Sequence, residues 1–504
     1  MDSLLSLYTP SNTKPEILEQ ILVQRGKLLK NSVRWCEQSI NDTKKNHLLF
    51  VGARGSGKTH IVSMILHRLK QNKTLKDKML IVWLGEDEIV TNFLGFVLSI
   101  IKKLAQEHQF TLECLKEARG KTQDEASNII LESITEQLKD NTIVLVKENM
   151  SDVFNGLKEM GQRQFRAYLQ EEQNMLVVAT SKQLFKGVSS REAVFFGFFD
   201  IHHLKPLSVE GTIELIEKVS IVKNNKKLNQ FIKTPKGGYR VEALHHLVGG
   251  NQRLYMELLE FLTFNALDNL VVAIDKLVDK LTSHFQKRIK SLSPQQGLIV
   301  QKLCDIEGAI SVKILANEIF IEERSVSKQL GELKTKGYVL AHKRGKLTYY
   351  EVSEPLMRFG LQVKQTNKKP LKVLVLLLKA WFSEESYALK EVENLLLDNP
   401  KIWQKKIPSL LKKFHKTHKI EYVSKALIAS LDNFTQKEEV NILLLKEWQE
   451  VWQKYGKNYE YLTPALKVLK STSLALEQKN DKSLFRLSSE IRELVLPLVE
   501  GKMG

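Results

Sequence analysis

The stretch Gly52-Ala53-Arg54-Gly55-Ser56-Gly57-Lys58-Thr59 sets glycines, a lysine and a hydroxyl in the spacing G-x-x-x-x-G-K-[ST]. Glycine lacks the Cβ that keeps backbone away from an anion, so successive N–H groups can curl around a phosphate. A lysine after the last glycine reaches the outer phosphates of a nucleoside triphosphate, and the next hydroxyl ligates a metal ion. The chemistry is phosphate binding, with ATP and Mg²⁺ as the expected occupants.

Such a cradle needs a carboxylate to hold the metal and to polarise water. The candidate run is Ile143-Val144-Leu145-Val146-Lys147-Glu148-Asn149, in which Lys147 stands where a metal-side Asp is expected. Glu148 is then the water-polarising acid. A register shifted by one residue makes Glu148 the metal-side carboxylate and Asn149 the water-positioning residue. Either way the acidic pair is incomplete, which predicts slow hydrolysis, with Asp152 and Glu86 as the next carboxylates to consider. Lys147 is expected close to the site, partly duplicating Lys58. Thr180, which ends the run Met175–Ala179, offers a polar group between the last phosphate and the attacking water.

These residues need a scaffold. Leu48-Leu49-Phe50-Val51 reads as a buried parallel strand feeding the glycine loop, and Ile61, Met64, Ile65 and Leu69 continue as a helix. Strand-like runs recur at Met79–Leu84, Ile143–Val146, Met175–Ala179 and Phe195–Ile201, with helical segments between them. That alternation predicts a parallel sheet flanked by helices. Residues 1–46 read as a loop and then one amphipathic helix with Pro15 in its first turn.

Together these features resemble the AAA+ superfamily of P-loop NTPases, in particular its origin-recognition-initiator-like branch and the related prokaryotic STAND-type ATPases, over residues 15–365. The resemblance implies further roles. Arg25, in Gln24-Arg25-Gly26-Lys27-Leu28-Leu29, lies in the segment that packs near the adenine. Thr180 matches the first sensor position. Arg253, in Gly249-Gly250-Asn251-Gln252-Arg253-Leu254, matches the lid arginine that touches the γ-phosphate, and Arg191 stands where an arginine finger serves a neighbouring subunit. A homo-oligomer is implied.

Downstream, Ser293-Pro294 opens a helix, Ile314, Leu315 and Ile319 mark a second, and Glu322–Leu330 a third. A basic tip, His342-Lys343-Arg344-Gly345-Lys346, then sits between β-formers. This looks like a winged helix-turn-helix of the MarR-like kind, closed by Pro355–Phe359. In a DNA-binding member, Ser325, Ser327, Lys328 and Gln329 would face base edges while Lys343, Arg344 and Lys346 neutralise phosphates. Winged helices also bind proteins, and Glu322 and Glu323 would repel phosphates, so a protein effector is the competing partner.

The whole chain agrees with this reading. Its 504 residues exceed one hydrophobic core. The expected order is an α/β nucleotide-binding domain (1–207), a helical lid (208–292), a winged helix (293–364) and an all-α C-terminal domain (365–504) anchored by Trp381, Trp403, Trp448 and Trp452. A formal net charge of +18 favours a polyanion or an acidic membrane face, or else marks a solvated lysine-rich surface. Cys36, Cys114 and Cys304 lack metal-ligand spacing and suit a reducing cytoplasm. Met1-Asp2-Ser3 opens no signal peptide, and the apolar run Val373–Leu378 is far shorter than the ~20 residues of a membrane helix.

Overall fold

The computed structural model describes residues 13–363 except 87, 260 and 261, residues 462–500 except 479 and 480, and isolated positions between 371 and 453. Residues 1–12 and most of 365–504, including the four tryptophans named above, lie outside the described residues. The chain divides into two compact units: the described residues of Met1–Val222 with Asn251–Met256, and those of Lys223–Gly250 with Glu257–Gly504. The division cuts within 208–292.

In the first unit the elements run α1 (Pro15–Gln20), α2 (Gly26–Asn41), β1 (His47–Val51), α3 (Lys58–Gln71), β2 (Met79–Leu84), α4 (Phe93–His108), α5 (Cys114–Glu117) and α6 (Gln123–Leu138). They continue with β3 (Thr142–Lys147), α7 (Met150–Glu171), β4 (Met175–Ser181), α8 (Lys186–Ser189), β5 (Phe199–His203) and α9 (Val209–Val222). The five strands form a parallel sheet in the order β2-β3-β4-β1-β5. The central strands β1, β3 and β4 are buried at every residue, whereas edge strands β2 and β5 are only partly so. Apolar runs such as Leu48–Val51 and Ile143–Val146 therefore sit where both sheet faces are covered by helices. Register places Val51 opposite Ser181 and Lys147 opposite Ala179, so the loops after β1, β3 and β4 emerge side by side. Ligands bind at this carboxyl edge of an open α/β sheet, where successive strands part to opposite sides.

Two expectations need correction. The N-terminal helical stretch is two helices, broken at Ile21–Arg25, where Gln24 takes φ 56°. The last strand begins at Phe199, not Phe195. Phe195 is fully buried, with its ring 4.8 Å from that of Phe154 and 5.0 Å from that of Phe198. The aromatic run fills the core through turns instead of pairing in the ladder.

The second unit contains α10 (Lys226–Ile232), α11 (Pro235–Val248), α13 (Phe264–Asp268) and α14 (Leu270–Lys290), while α12 (Gln252–Leu259) begins in the first unit. Then come α15 (Pro294–Asp305), β6 (Ile310–Ser311), α16 (Val312–Ile319), α17 (Glu323–Thr335), the hairpin β7 (Val339–Arg344) and β8 (Leu347–Val352), and α18 (Pro355–Val363). The three short strands form an antiparallel sheet in the order β6-β8-β7. Ser293 caps α15 by accepting from the Gln296 N–H. The helices Leu462–Glu477 and Ser489–Glu500 flank a 3-10 turn at Lys482–Arg486. All three cysteines are buried free thiols, and among the described residues no helix is long and apolar enough to cross a membrane.

Candidate functional site

The glycine loop links β1 to α3, and Gly57, with φ 82° and ψ 25°, is the residue before the first helical turn. Gly55 also takes φ 82°, a conformation that favours glycine. A Cβ at Gly57 would overlap Arg25 Nη1 and Gln252 Oε1, and one at Gly55 would overlap Asn251 Oδ1. The loop thus closes tightly against its own neighbours. Lys58 Nζ donates to the carbonyls of Gly52 at 2.7 Å and Ala53 at 3.0 Å. Burial, with Lys182 adding to it, lowers the Lys58 pKa to about 8, against the pull of Glu86 and Glu148. Ser56 Oγ is buried with no hydrogen-bond partner.

The Thr59 hydroxyl donates to Glu148 Oε1 at 2.9 Å. Burial raises the Glu148 pKa, the nearby Glu86 adds to the rise, and the Thr59 bond opposes it. Two oxygens of the kind a hard cation prefers therefore meet at the start of α3. Asn149, in the left-handed region at φ 52°, donates its N–H to Thr180 Oγ1 at 3.3 Å. Thr180 is buried and braces this turn.

Lys147 does not duplicate Lys58. It is 1% exposed, and its ammonium donates to the carbonyls of Gly85 at 2.6 Å and Glu88 at 3.5 Å. Those acceptors belong to the loop after β2, so the strand-end lysine ties that loop down. The same loop is seated on α7, where a Cβ at Gly156 would overlap the carbonyl oxygen of Val90. Lys182, just beyond β4, pairs with Glu86 at 3.1 Å.

Arg25 is 8% exposed and directs Nη1 to Gln252 Oε1 and Nη2 to the Lys205 carbonyl, each at 3.4 Å; burial lowers its pKa to about 10. Asn251 Nδ2 donates to the Arg54 carbonyl at 3.2 Å, and the Arg253 N–H to the Gly55 carbonyl at 3.2 Å. The structure thus gathers Arg25, residues 52–59, Glu148 and Arg253 at one edge of the sheet. Arg191 is exposed in the turn between α8 and β5. Lys182, Asn251 and Gln252 went unselected in the sequence reading; the signal for Lys182 was a cation two residues past Thr180.

On the hairpin, Lys343 and Lys346 are exposed, as are Ser327 and Lys328 on α17, while Ser325 is half-buried. Arg344 is engaged: its Nε donates to Asp481 at 2.6 Å, and its guanidinium lies 5.1 Å from the Phe485 ring centre. Gln329 accepts from Gln296 at 2.8 Å. Glu351 accepts from Arg492 at 2.5 Å and meets His342 at 2.6 Å, and Arg358 pairs with Glu490 at 2.8 Å. The turn Lys482–Arg486 is bonded to the sheet side through the Ala309 N–H on the Phe485 carbonyl.

No family model matches the sequence, and no curated protein does. Solved structures similar to the chain include the Walker-type ATPase of Pyrococcus abyssi, at 13% identity over 68% of this chain and 96% of that one, with a TM-score of 0.46. The Aeropyrum pernix ORC2 protein in its ADPNP–ADP complexes is similar at 10% identity over 69% and 96%, with a TM-score of 0.49. The Aeropyrum pernix ORC1 protein in complex with DNA is similar at 12% identity over 70% and 97%, with a TM-score of 0.46.

Proposed function

We propose that this chain is an ATP-controlled AAA+ switch that hydrolyses slowly, assembles with copies of itself and engages DNA through the module of α15–α17 and the β7–β8 hairpin. The observation that carries the reading is the Thr59 hydroxyl on Glu148 beside a lysine-bearing glycine cradle. The unpartnered Ser56 hydroxyl and the depressed Lys58 pKa both fit a phosphate as the missing counter-group. Thr59 and Glu148 would hold Mg²⁺, which keeps several waters and takes further oxygens from phosphates, so two protein ligands suffice. The ion supplies charge neutralisation on the outer phosphates. Lys58 binds those phosphates, Arg25 secures the loop from behind, and Arg253 reports the γ-phosphate to the lid.

Titration with a fluorescent ATP analogue, solution mass in ATP and in ADP, and duplex binding at several salt concentrations test the three parts. ATP binding with no salt-dependent DNA binding would favour a second reading, a signalling ATPase whose helix–hairpin module binds a protein effector. Two observations support that reading: Arg344 is already paired, and Phe320, in the turn between α16 and α17, is 95% exposed with Ile314 52% exposed. Turnover well under ~1 s⁻¹, the bottom of the kinase range, is expected.

A further inference from the structure

Glu148 is committed to Thr59, which leaves the water-polarising role without an owner at the end of β3. The neighbouring strand offers one. β2 and β4 are not adjacent; β3 lies between them, so at a strand spacing of about 4.8 Å their ends stand about 10 Å apart. Yet Glu86, two residues past β2, reaches Lys182, just past β4, at 3.1 Å. The loop therefore folds across the mouth of β3. Lys147 explains how it is held, because its buried ammonium grips the carbonyls of Gly85 and Glu88 on either side of Glu86. The lysine that removes an acid from β3 thus holds a different acid over the same spot.

We infer that Glu86 is the carboxylate that accepts the proton of the attacking water, that Glu148 serves the metal side alone, and that Lys147 is a positioning residue for Glu86. This rests on the nucleotide-site reading above. In the step, the water oxygen bonds the γ-phosphorus while Glu86 takes one of its protons. The bond from that phosphorus to the bridging oxygen breaks, its electron pair leaving with ADP, and Glu86 returns the proton to solvent. Lys182 competes for the same carboxylate, so the pair must loosen in each turnover. Glu86 is also charged more readily than an ordinary glutamate: burial alone would raise its pKa, but Lys182 and Asn149 hold it below 4.5. A weak base behind an ion pair accounts for slow hydrolysis.

The test uses the full chain as wild type, Glu86→Gln, Glu148→Gln, Lys147→Met and Lys58→Ala. Equilibrium binding of a fluorescent ATP analogue, with and without Mg²⁺, is measured beside single-turnover phosphate release. Glu86→Gln is expected to bind the analogue within about twofold of wild type in both conditions yet to release phosphate at least ~100-fold more slowly, the low end of general-base effects. Glu148→Gln is expected to lose the Mg²⁺-dependent part of binding. Lys147→Met is expected to bind the analogue as wild type does but to release phosphate more slowly in a single turnover. Phosphate release by Glu86→Gln at the wild-type rate overturns the inference. So does Glu148→Gln losing turnover with its Mg²⁺-dependent binding intact, or a wild type that binds ATP and never hydrolyses it; each of these leaves the site reading standing. Lys58→Ala binding the analogue as tightly as wild type would instead sink the site itself.

Discussion

The phosphate loop and the hairpin are both basic in sequence, but Lys58 and Arg344 stand in opposite electrostatic situations. Lys58 and Arg25 are held with depressed pKa values, and Lys58 donates only to neutral carbonyls. On the hairpin Arg344 meets Asp481, as Arg358 and Arg492 elsewhere in the second unit meet carboxylates, at 2.5 to 2.8 Å, while Lys343 and Lys346 are exposed. The first arrangement gains from an incoming anion, whereas the second is already satisfied. A run of basic residues therefore does not measure free positive charge.

The largest expected effect tests the first half of that contrast. Lys58→Ala removes a charge-assisted contact of about 1.5–3 kcal/mol per hydrogen bond, so ATP affinity is expected to fall roughly 100-fold while the fold persists. Nucleotide titration with circular dichroism as the fold control checks it.

Acid separates the two units next. His47 accepts the Val177 N–H through Nδ1 at 3.0 Å, and burial lowers its pKa from 6.5 to about 4. The unfolded chain binds this proton first, so stability falls as pH drops from 6.5 toward 4, by about 2 kcal/mol at pH 5 relative to pH 7. Glu351 runs the same way but in a lower window: burial would raise its pKa, but His342 and Arg492 hold it below the ordinary 4.5, so its contribution is lost only as pH falls below that range. Hydrogen exchange at pH 7, 5 and 3 is expected to show β1 and β4 losing protection before the hairpin. Simultaneous loss would refute the contrast.

Arg253→Ala is a smaller perturbation, expected to change ATP affinity only a few-fold but to erase the difference in assembly between ATP and ADP. Sedimentation in each nucleotide decides it. A mutant that assembles only with ATP rules the sensor role out.

The finest test concerns the hairpin. Each phosphate contact contributes about 0.9 to the slope of log K against log salt. With Arg344 held by Asp481, replacing Lys343, Arg344 and Lys346 together by Ala should lower the slope by about 1.8, the value for two free cations, and not by about 2.7. Asp481→Asn should then raise the wild-type slope by about 0.9. An unchanged slope in both variants would remove the hairpin from DNA contact.

What could be read in advance followed from locality. The glycine loop between a buried strand and a helix, the runs of β1 to β4 and the order of three helices and a hairpin are all written in neighbouring residues. Lys147 was not readable in this way, because a strand-end lysine has the same sequence signature whether it faces a phosphate or a loop. Arg344 was not readable either, since its partner lies 137 residues further on. Phe195 and Phe199 look alike as β-formers, and only packing decides which one enters the ladder.

Gly156 carries a consequence for how this chain can diverge. No motif marks it, and it lies in α7, outside the glycine cradle. Even so, any side chain there meets the backbone of Val90, which cannot rotate aside, in the loop that carries Glu86. If Glu86 acts as proposed, a single base change at that codon would yield a descendant with every cradle residue intact and ATP still bound, but silent in turnover. On that proposal, a lineage that gave up turnover for a permanent ATP-loaded state would leave its mark at position 156, not in the phosphate loop.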